Sequence, residues 1–133
     1  MSDPREEPRE EPLEEPPELL HRRPPLEAPL FTKTYDLVLW LDERTEQFPK
    51  SQRFGAAARL TRHAVEALEA ITLALRGFER PENVDRADAA LALLRVHLKL
   101  AADRHLISER QMLHALGRVE ELGRMLGGWR KRL

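Results

Sequence analysis

The sequence predicts an all-α protein, a four-helix bundle with up-down-up-down topology that follows an acidic N-terminal arm. Between residue 30 and the C-terminus, apolar residues recur every three or four positions in four segments, which is the period of an amphipathic helix. No segment alternates apolar and polar residues with the period of two that a half-buried strand requires. The connections between the segments are short, so consecutive helices should be antiparallel neighbours.

The composition excludes several classes of protein. A chain of 133 residues is long enough for one domain with an appendage. It contains no cysteine, which excludes disulfides and thiolate metal sites and suits a reducing compartment. There is no apolar secretory leader, and the longest apolar run, Leu37 to Leu41, is far shorter than the roughly 20 residues of a membrane helix. We therefore expect a cytoplasmic protein with no membrane partner.

The charge is distributed unevenly along the chain. Residues 1–30 carry nine acidic side chains and four arginines, whereas residues 31–133 carry 18 basic and 14 acidic side chains. Eight of the ten prolines also precede residue 30, partly in a repeated Pro-x-Glu-Glu pattern that prevents helix continuation. We predict a disordered or polyproline-like acidic arm over residues 1–29 and a bundle domain over residues 30–133. The arm is either a solvated tail or a functional segment, namely a decoy for basic surfaces or a docking strip.

The first helix is predicted from about Thr32 to Gln47, where Phe48-Pro49 ends it. Its five consecutive apolar residues, Leu37 to Leu41, point in all directions around the helix axis. One bundle core covers only one face of a helix, so the opposite face should meet another subunit. We therefore predict a homo-oligomer in which Leu37 and Trp40 contribute to packing or to the subunit contact.

The second helix is predicted from near Ser51 to about Phe78, and the third runs from an N-cap at Asn83 to about His105. The fourth opens at Ser108 and Gln111, which have the spacing of a capping box. The second helix has an apolar stripe at Phe54, Ala58, Thr61, Val65, Leu68, Thr72 and Leu75, backed by Leu60, Ala64 and Ile71. The stripe of the third is Val84, Ala87, Leu91, Leu94, Leu98 and Ala101, and that of the fourth is Met112, Ala115, Leu116, Val119, Leu122, Leu126 and Trp129.

Glycines interrupt the last helix at Gly123, Gly127 and Gly128, although each glycine costs a helix interior about 1 kcal/mol relative to alanine. Either the helix ends there, or another helix approaches its backbone closely. Gly123 and Gly127 are one turn apart, and Trp129 continues the apolar stripe three residues after Leu126. This spacing favours close packing at Gly123 and Gly127, with Trp129 anchoring the contact.

Enzyme chemistry has little support in the sequence. The Glu-x-x-His signature of a di-iron bundle occurs only at Glu18 and His21, inside the proline-rich arm. No His-Glu-x-x-His motif, phosphate-binding loop or dinucleotide fingerprint is present. We predict no catalytic residue, no metal and no cofactor. The histidines of the helical region are expected at surface or boundary positions rather than as ligands: His63, His97, His105 and His114.

Basic residues indicate a possible nucleic-acid surface. Arginines of the second helical segment fall within a sector of about 100°, and a basic group follows at the C-terminus. The alternative is a solvated face, because Glu66 and Glu69 share the sector and could pair with the arginines. Positive charge at a helix C-terminus is also favourable by itself. The candidate contacts to phosphate or to a protein partner are Arg59, Arg62, Arg76, Arg80, Arg130, Lys131 and Arg132.

Several segments resemble the accessory variability determinant (Avd) family of diversity-generating retroelements. The resemblance extends over roughly residues 30–133, and the C-terminal segment is its most specific part. The related proteins of 23S ribosomal RNA intervening sequences share the bundle and the Phe-Pro break, and they remain the alternative. The segments are KTYDLVLWL (Lys33–Leu41), FPKSQRF (Phe48–Phe54), RADAALALLRVHLKLA (Arg86–Ala101), ISERQ (Ile107–Gln111) and GRMLGGWRK (Gly123–Lys131).

The resemblance implies a non-catalytic accessory protein that forms a pentameric barrel with a basic surface. It implies binding to the reverse transcriptase of the retroelement and to template RNA or DNA, in support of mutagenic cDNA synthesis. Catalytic carboxylates and metals would then belong to the transcriptase. The acidic arm departs from the family pattern. Few aromatic residues lie off the apolar stripes, so nucleic-acid binding should be largely independent of base sequence. The alternative relatives would have an interaction role without a transcriptase partner.

Overall fold

The computed structural model describes residues 27–133, which form four α-helices and contain no strand. Helix α1 spans Glu27–Thr45, α2 spans Ala58–Leu75, α3 spans Arg80–Asp103 and α4 spans Glu109–Arg130. Helices α1 and α3 each pack against both α2 and α4, so the helices follow one another around the bundle. The predicted up-down-up-down four-helix bundle is confirmed.

Helix α1 begins at Glu27, five residues before the predicted start at Thr32. Pro29 is compatible with this start, because the first N–H groups of a helix have no intrahelical acceptor and proline lacks only that group. Leu30 is buried, and the hydroxyl of Thr34 donates a hydrogen bond to its carbonyl over 2.7 Å. The rest of the predicted acidic arm, residues 1–26, lies outside the described residues.

A compact break joins α1 to α2. A 3₁₀ turn over Lys50–Gln52 and a π-helical segment over Arg53–Ala57 lead into α2, and Gly55 has non-helical backbone angles. The regular helix therefore begins later than the predicted Ser51. Phe54, predicted to start the apolar stripe, is 89 % exposed because the break turns it out of the bundle.

The face that α2 buries is rotated from the predicted one. The prediction took Thr61, Val65 and Thr72 for core positions, but the two threonines are half-buried and Val65 is exposed. The threonine hydroxyls donate to carbonyls of their own helix rather than packing in the core. Small side chains define the true core face, because they let α2 and α3 form the most extensive helix pair of the bundle. The buried residues of α2 are Leu60, His63, Ala64, Ala67, Ala70, Ile71 and Ala74.

Helix α3 begins at Arg80, directly after a turn in which Gly77 has a φ of 88°. Pro81 fits this first turn for the same reason as Pro29 in α1. The predicted N-cap at Asn83 is wrong. Asn83 is a buried residue inside the helix, and its amide donates a hydrogen bond back to the carbonyl of Phe78 over 2.8 Å. It closes the preceding turn instead of capping the helix.

Helix α4 starts as predicted. The backbone N–H of Gln111 donates to the Ser108 hydroxyl over 3.0 Å, and the Ser108 N–H donates to the Gln111 side chain over 2.9 Å. The helix continues through Gly127 and Gly128 to Arg130, so the glycines do not end it. The apolar stripe of α3 is buried throughout, and that of α4 is buried or half-buried, as the sequence predicts.

Candidate nucleic-acid and partner interface

The predicted basic residues lie at two ends of the bundle instead of along one stripe. Arg59 and Arg62 lie in the first turns of α2, whereas Arg76 follows its last residue. At 1.5 Å per helical residue, Arg59 and Arg76 are separated by about 25 Å along the axis. Arg80 belongs to α3 because the chain turns at Gly77. The sequence therefore identified two basic groups that the fold separates.

The first group contains two histidines as well as arginines. His63 of α2 stacks on His97 of α3 with ring centroids 4.9 Å apart and an interplanar angle of 22°. His63 is only 6 % exposed, so its predicted surface or boundary position is wrong. Within the described part of the chain, its Nδ1 atom has no hydrogen-bond partner. We refer to Arg59, Arg62, His63 and His97 as the histidine–arginine cluster.

Both histidines in this cluster are held in the neutral form. Burial lowers the pKa of His63 below its ordinary value, and His97 and Arg62 lower it further, while Glu66 acts in the opposite direction. Burial also lowers the pKa of His97, followed by the charges of Arg59 and Arg62. The arginines therefore provide the permanent positive charge of the cluster. The imidazoles add charge when the pH falls toward their lowered pKa values or when a nearby anion raises those values.

The acidic residues of α2 do not pair with its arginines. Arg86 of α3 lies 3.3 Å from the Glu66 carboxylate and 3.8 Å from that of Glu69. The sequence left open the alternative that Glu66 and Glu69 pair with arginines of their own helix. They pair with an arginine of α3 instead. Among residues 27–133, Arg59 and Arg62 form no ion pair.

At the other end of the bundle, two of the predicted contact residues hold helices together. The Arg80 guanidinium lies 5.6 Å from the centroid of the buried Trp129 ring, and its Nε donates to the carbonyl of Ala74 over 3.0 Å. Arg130 pairs with Asp85 over 2.6 Å and with Asp88 over 3.7 Å. Arg80 and Arg130 thus join α3 to its neighbours. The other predicted contacts at this end are exposed and form no ion pair within residues 27–133: Arg76, Lys131 and Arg132.

The glycines of α4 do not mark a close helix approach within the bundle. Among residues 27–133, no heavy atom of a neighbouring element lies within 4 Å of the position that a Cβ would take at Gly123 or Gly127. The predicted close packing is therefore wrong within these residues, although Trp129 is buried as expected. Gly123 lines an open groove of about 380 Å³ between α3 and α4, together with residues that include Ala92 and Val119.

The described surface also has two apolar faces. On α1, Phe31, Tyr35 and Leu39 are exposed, and the rings of the first two stack with centroids 5.9 Å apart. The apolar all-round helix therefore has a second face as predicted, but its residues differ from the predicted ones. Leu37 is a core residue, and Trp40 is half-buried, with its ring centroid 5.2 Å from that of His114.

The second apolar face lies on α3. Leu93, Val96 and Leu100 follow one another at helical spacing and are 41–55 % exposed. Because α1 and α3 both pack against α2 and α4, they occupy opposite corners of the bundle. The two apolar faces therefore point in different directions. The helical spacing of Leu93, Val96 and Leu100 is visible in the sequence, but the buried stripe of α3 contains leucines as well, so the exposed face was not recognised as a separate one.

Within residues 27–133, no group of three or more His, Asp or Glu side chains could hold a metal ion. None of the described helices is long and apolar enough to span a membrane.

The described residues form an all-helical bundle with two groups of basic residues and two exposed apolar faces. The family model described as bAvd-like matches residues 30–133, and the chain therefore belongs to the bAvd-like family. The resemblance drawn from the sequence segments is confirmed, and the family indicates an Avd accessory protein. Neither the curated proteins nor the solved structures compared with the chain include a match.

Proposed function

We propose that this protein is the non-catalytic accessory subunit of a diversity-generating retroelement. It binds the reverse transcriptase and template RNA or DNA, and it supports mutagenic cDNA synthesis in the cytoplasm. The observation that carries the proposal is the family match, which extends over residues 30–133 and so includes all four helices. The reacting carboxylates and metal ions belong to the transcriptase, and this chain contributes binding surfaces.

The basic residues support the nucleic-acid part of the proposal. Arg59 and Arg62 are available for phosphate contact, and Arg76, Lys131 and Arg132 are exposed at the other end. Phe54 is almost fully exposed in the break that leads into α2. An exposed aromatic ring offers base stacking that does not depend on base identity. Binding is therefore largely sequence-independent and weakens as salt rises.

The apolar faces support a homo-oligomer. Contact between the α1 face of one copy and the α3 face of the next joins two different surfaces, which is a heterologous contact. Such contacts close into a ring when the rotation between copies is suitable, and the family resemblance implies five copies. Each ring member then covers apolar area that a single bundle leaves in water.

Co-expression with the transcriptase encoded beside this gene tests the proposal. We expect the two proteins to co-purify, and cDNA synthesis from the cognate template to require both. A neighbouring pair of near-identical repeats that differ at adenines is expected in the same locus. If the protein neither binds that transcriptase nor affects cDNA synthesis, the intervening-sequence type of bundle, with an interaction role and no transcriptase partner, becomes the better assignment.

A further inference from the structure

The stacked histidines at the seam between α2 and α3 are not explained by packing. Two aliphatic side chains would fill this seam without burying a polar atom, whereas His63 buries an Nδ1 atom that has no partner in the described residues. A buried polar group without a hydrogen bond lowers stability. His97 is only partly buried, so one ring of the pair remains accessible, and the charges of Arg59 and Arg62 act on that ring.

The charges around the pair determine how many protons it can hold. Two protonated rings with centroids 4.9 Å apart would repel each other, and the guanidinium groups of Arg59 and Arg62 add to that repulsion. When only one ring is protonated and the other is neutral, the repulsion between the two rings is absent. The pair should therefore accept a single proton when an anion lies close by.

We propose that Arg59, Arg62 and the His63–His97 pair form a phosphate site for nucleic acid, in which each bound phosphate is accompanied by the uptake of one proton. The proposal rests on the nucleic-acid binding proposed above and assigns it a place and a chemistry. Phosphate oxygens accept hydrogen bonds from both guanidinium groups and from the protonated ring of His97. His63 stacks behind that ring and fixes its orientation.

The acidic residues nearby do not neutralise the site. Among the described residues, the charged groups that act on either ring lie on α2 and α3: Arg59, Arg62 and Glu66, with the second histidine. Glu66 favours the protonated form, but Arg86 holds its carboxylate at 3.3 Å. A phosphodiester supplies the negative charge that the site otherwise lacks, and protonation of the pair then strengthens binding.

This coupling predicts that affinity for nucleic acid rises as the pH falls. Uptake of one proton on binding changes affinity by up to about tenfold per pH unit over the range where the free pair is neutral and the bound pair is charged. The test is fluorescence anisotropy of the full chain with labelled oligouridylate at constant ionic strength, from about pH 8 to about pH 5.5, on both sides of the ordinary histidine pKa near 6.5.

Two histidine variants separate the pair from the other histidines. His97→Gln keeps an N–H donor but cannot take up a proton, so it should bind like the parent at high pH and lose most of the gain at low pH. His105→Asn is the control. His105 is exposed and has a φ of 60°, which asparagine accommodates, and this variant should keep the full gain. If His97→Gln retains the full gain, the proposal is wrong.

The outcomes also separate this proposal from the proposed function. If Arg59→Glu/Arg62→Glu binds RNA as well as the parent at every pH, the nucleic-acid surface itself is misplaced. If the double variant binds weakly but the parent shows no pH dependence, only the proton coupling fails. Histidine ring resonances followed by NMR give a second readout, because RNA should raise the titration midpoint of His97.

Discussion

At the scale of single residues, Arg80 shows how one side chain can connect three helices. It begins α3, donates a hydrogen bond to the carbonyl of Ala74 in α2, and lies over the ring of Trp129 in α4. A guanidinium over a partly desolvated indole and a charged hydrogen bond each stabilise a fold by about 1–2 kcal/mol. Trp129 therefore has a defined position at the end of α4 despite the flanking glycines.

We expect Arg80→Ala to lower the free energy of unfolding by about 2 kcal/mol, because it removes both contacts. Urea denaturation followed by circular dichroism measures the change. Arg76→Ala is the matched control, since Arg76 is exposed and forms no ion pair within residues 27–133, and it should change stability by less than about 0.5 kcal/mol. Equal effects of the two variants would show that the Trp129 contact contributes nothing specific.

The buried histidine pair predicts a dependence of stability on pH. The pKa values of His63 and His97 are lowered from 6.5 in the folded chain, so between the folded and unfolded values the unfolded chain binds more protons. The contribution of the two histidines to the free energy of unfolding is therefore complete above about pH 6.5 and is lost as the pH falls toward the lowered values. A separate effect, from a carboxylate, belongs to a lower pH range, because the hydrogen bond from Lys33 lowers the pKa of Glu121 from 4.5.

Urea midpoints measured at pH 7.5 and at pH 5.5 should show this loss in the parent protein. The variant His63→Leu removes one titrating ring and fills the space with an apolar side chain, so its midpoint should change less between these two conditions. A parent midpoint that is constant over this range would contradict the assignment of the pair as neutral in the folded state.

At the scale of elements, Arg59 and Arg62 of α2 allow a test of whether nucleic acid binds at a local site or only by general electrostatic attraction. We expect Arg59→Glu/Arg62→Glu to weaken RNA binding and to reduce the dependence of affinity on salt, because fewer phosphate contacts release fewer counterions. The control Arg76→Glu/Arg132→Glu makes the same change in net charge at the other end of the bundle. Binding titrations at two salt concentrations compare the variants, and equal losses would show that the arginines of α2 contribute no more to binding than the basic residues at the other end.

Helix α4 allows a test of its glycines. Open space surrounds the Cβ positions of Gly123 and Gly127, so alanine should fit and should stabilise the isolated bundle by up to about 1 kcal/mol at each position. Thermal or urea unfolding of Gly123→Ala/Gly127→Ala measures the gain. If the double variant instead loses oligomer mass, a helix of another copy packs directly against these glycines. The close helix approach that their spacing predicts would then occur between subunits.

At the scale of the whole molecule, the two apolar faces lie at opposite corners of the bundle, and this arrangement favours a ring over a symmetric dimer. Light scattering should give a mass several times 15.4 kDa, with five subunits expected from the family. Leu39→Glu and Val96→Glu should each dissociate the assembly while leaving the helices intact, since both side chains are already about half exposed in the single bundle.

Leu113→Glu is the control for these variants. Leu113 of α4 is 58 % exposed but lies on neither apolar face, so its substitution should leave the mass unchanged. A monomeric parent protein, or loss of the assembly only in the Leu113 variant, would refute the ring that we propose.

The sequence by itself determined the features that depend on neighbours along the chain. The capping box at Ser108, the break at Pro49 and the buried stripe of α3 each depend on residues within a few positions of one another. Local backbone geometry decides such features, and it is encoded locally. The number of helices and the family resemblance could be predicted for the same reason, because both depend on short segments of the sequence.

Only the tertiary structure decided which face α2 buries, where His63 lies and what Arg80 contacts. Alanines form the α2 seam with α3, and their small side chains give weak periodicity although they permit the closest helix approach. His63 and His97 are 34 positions apart in the sequence, as Arg80 and Trp129 are 49 apart, and each pair meets only when helices pack. The burial and charge state of these residues depend on contacts across helices, which no local pattern specifies.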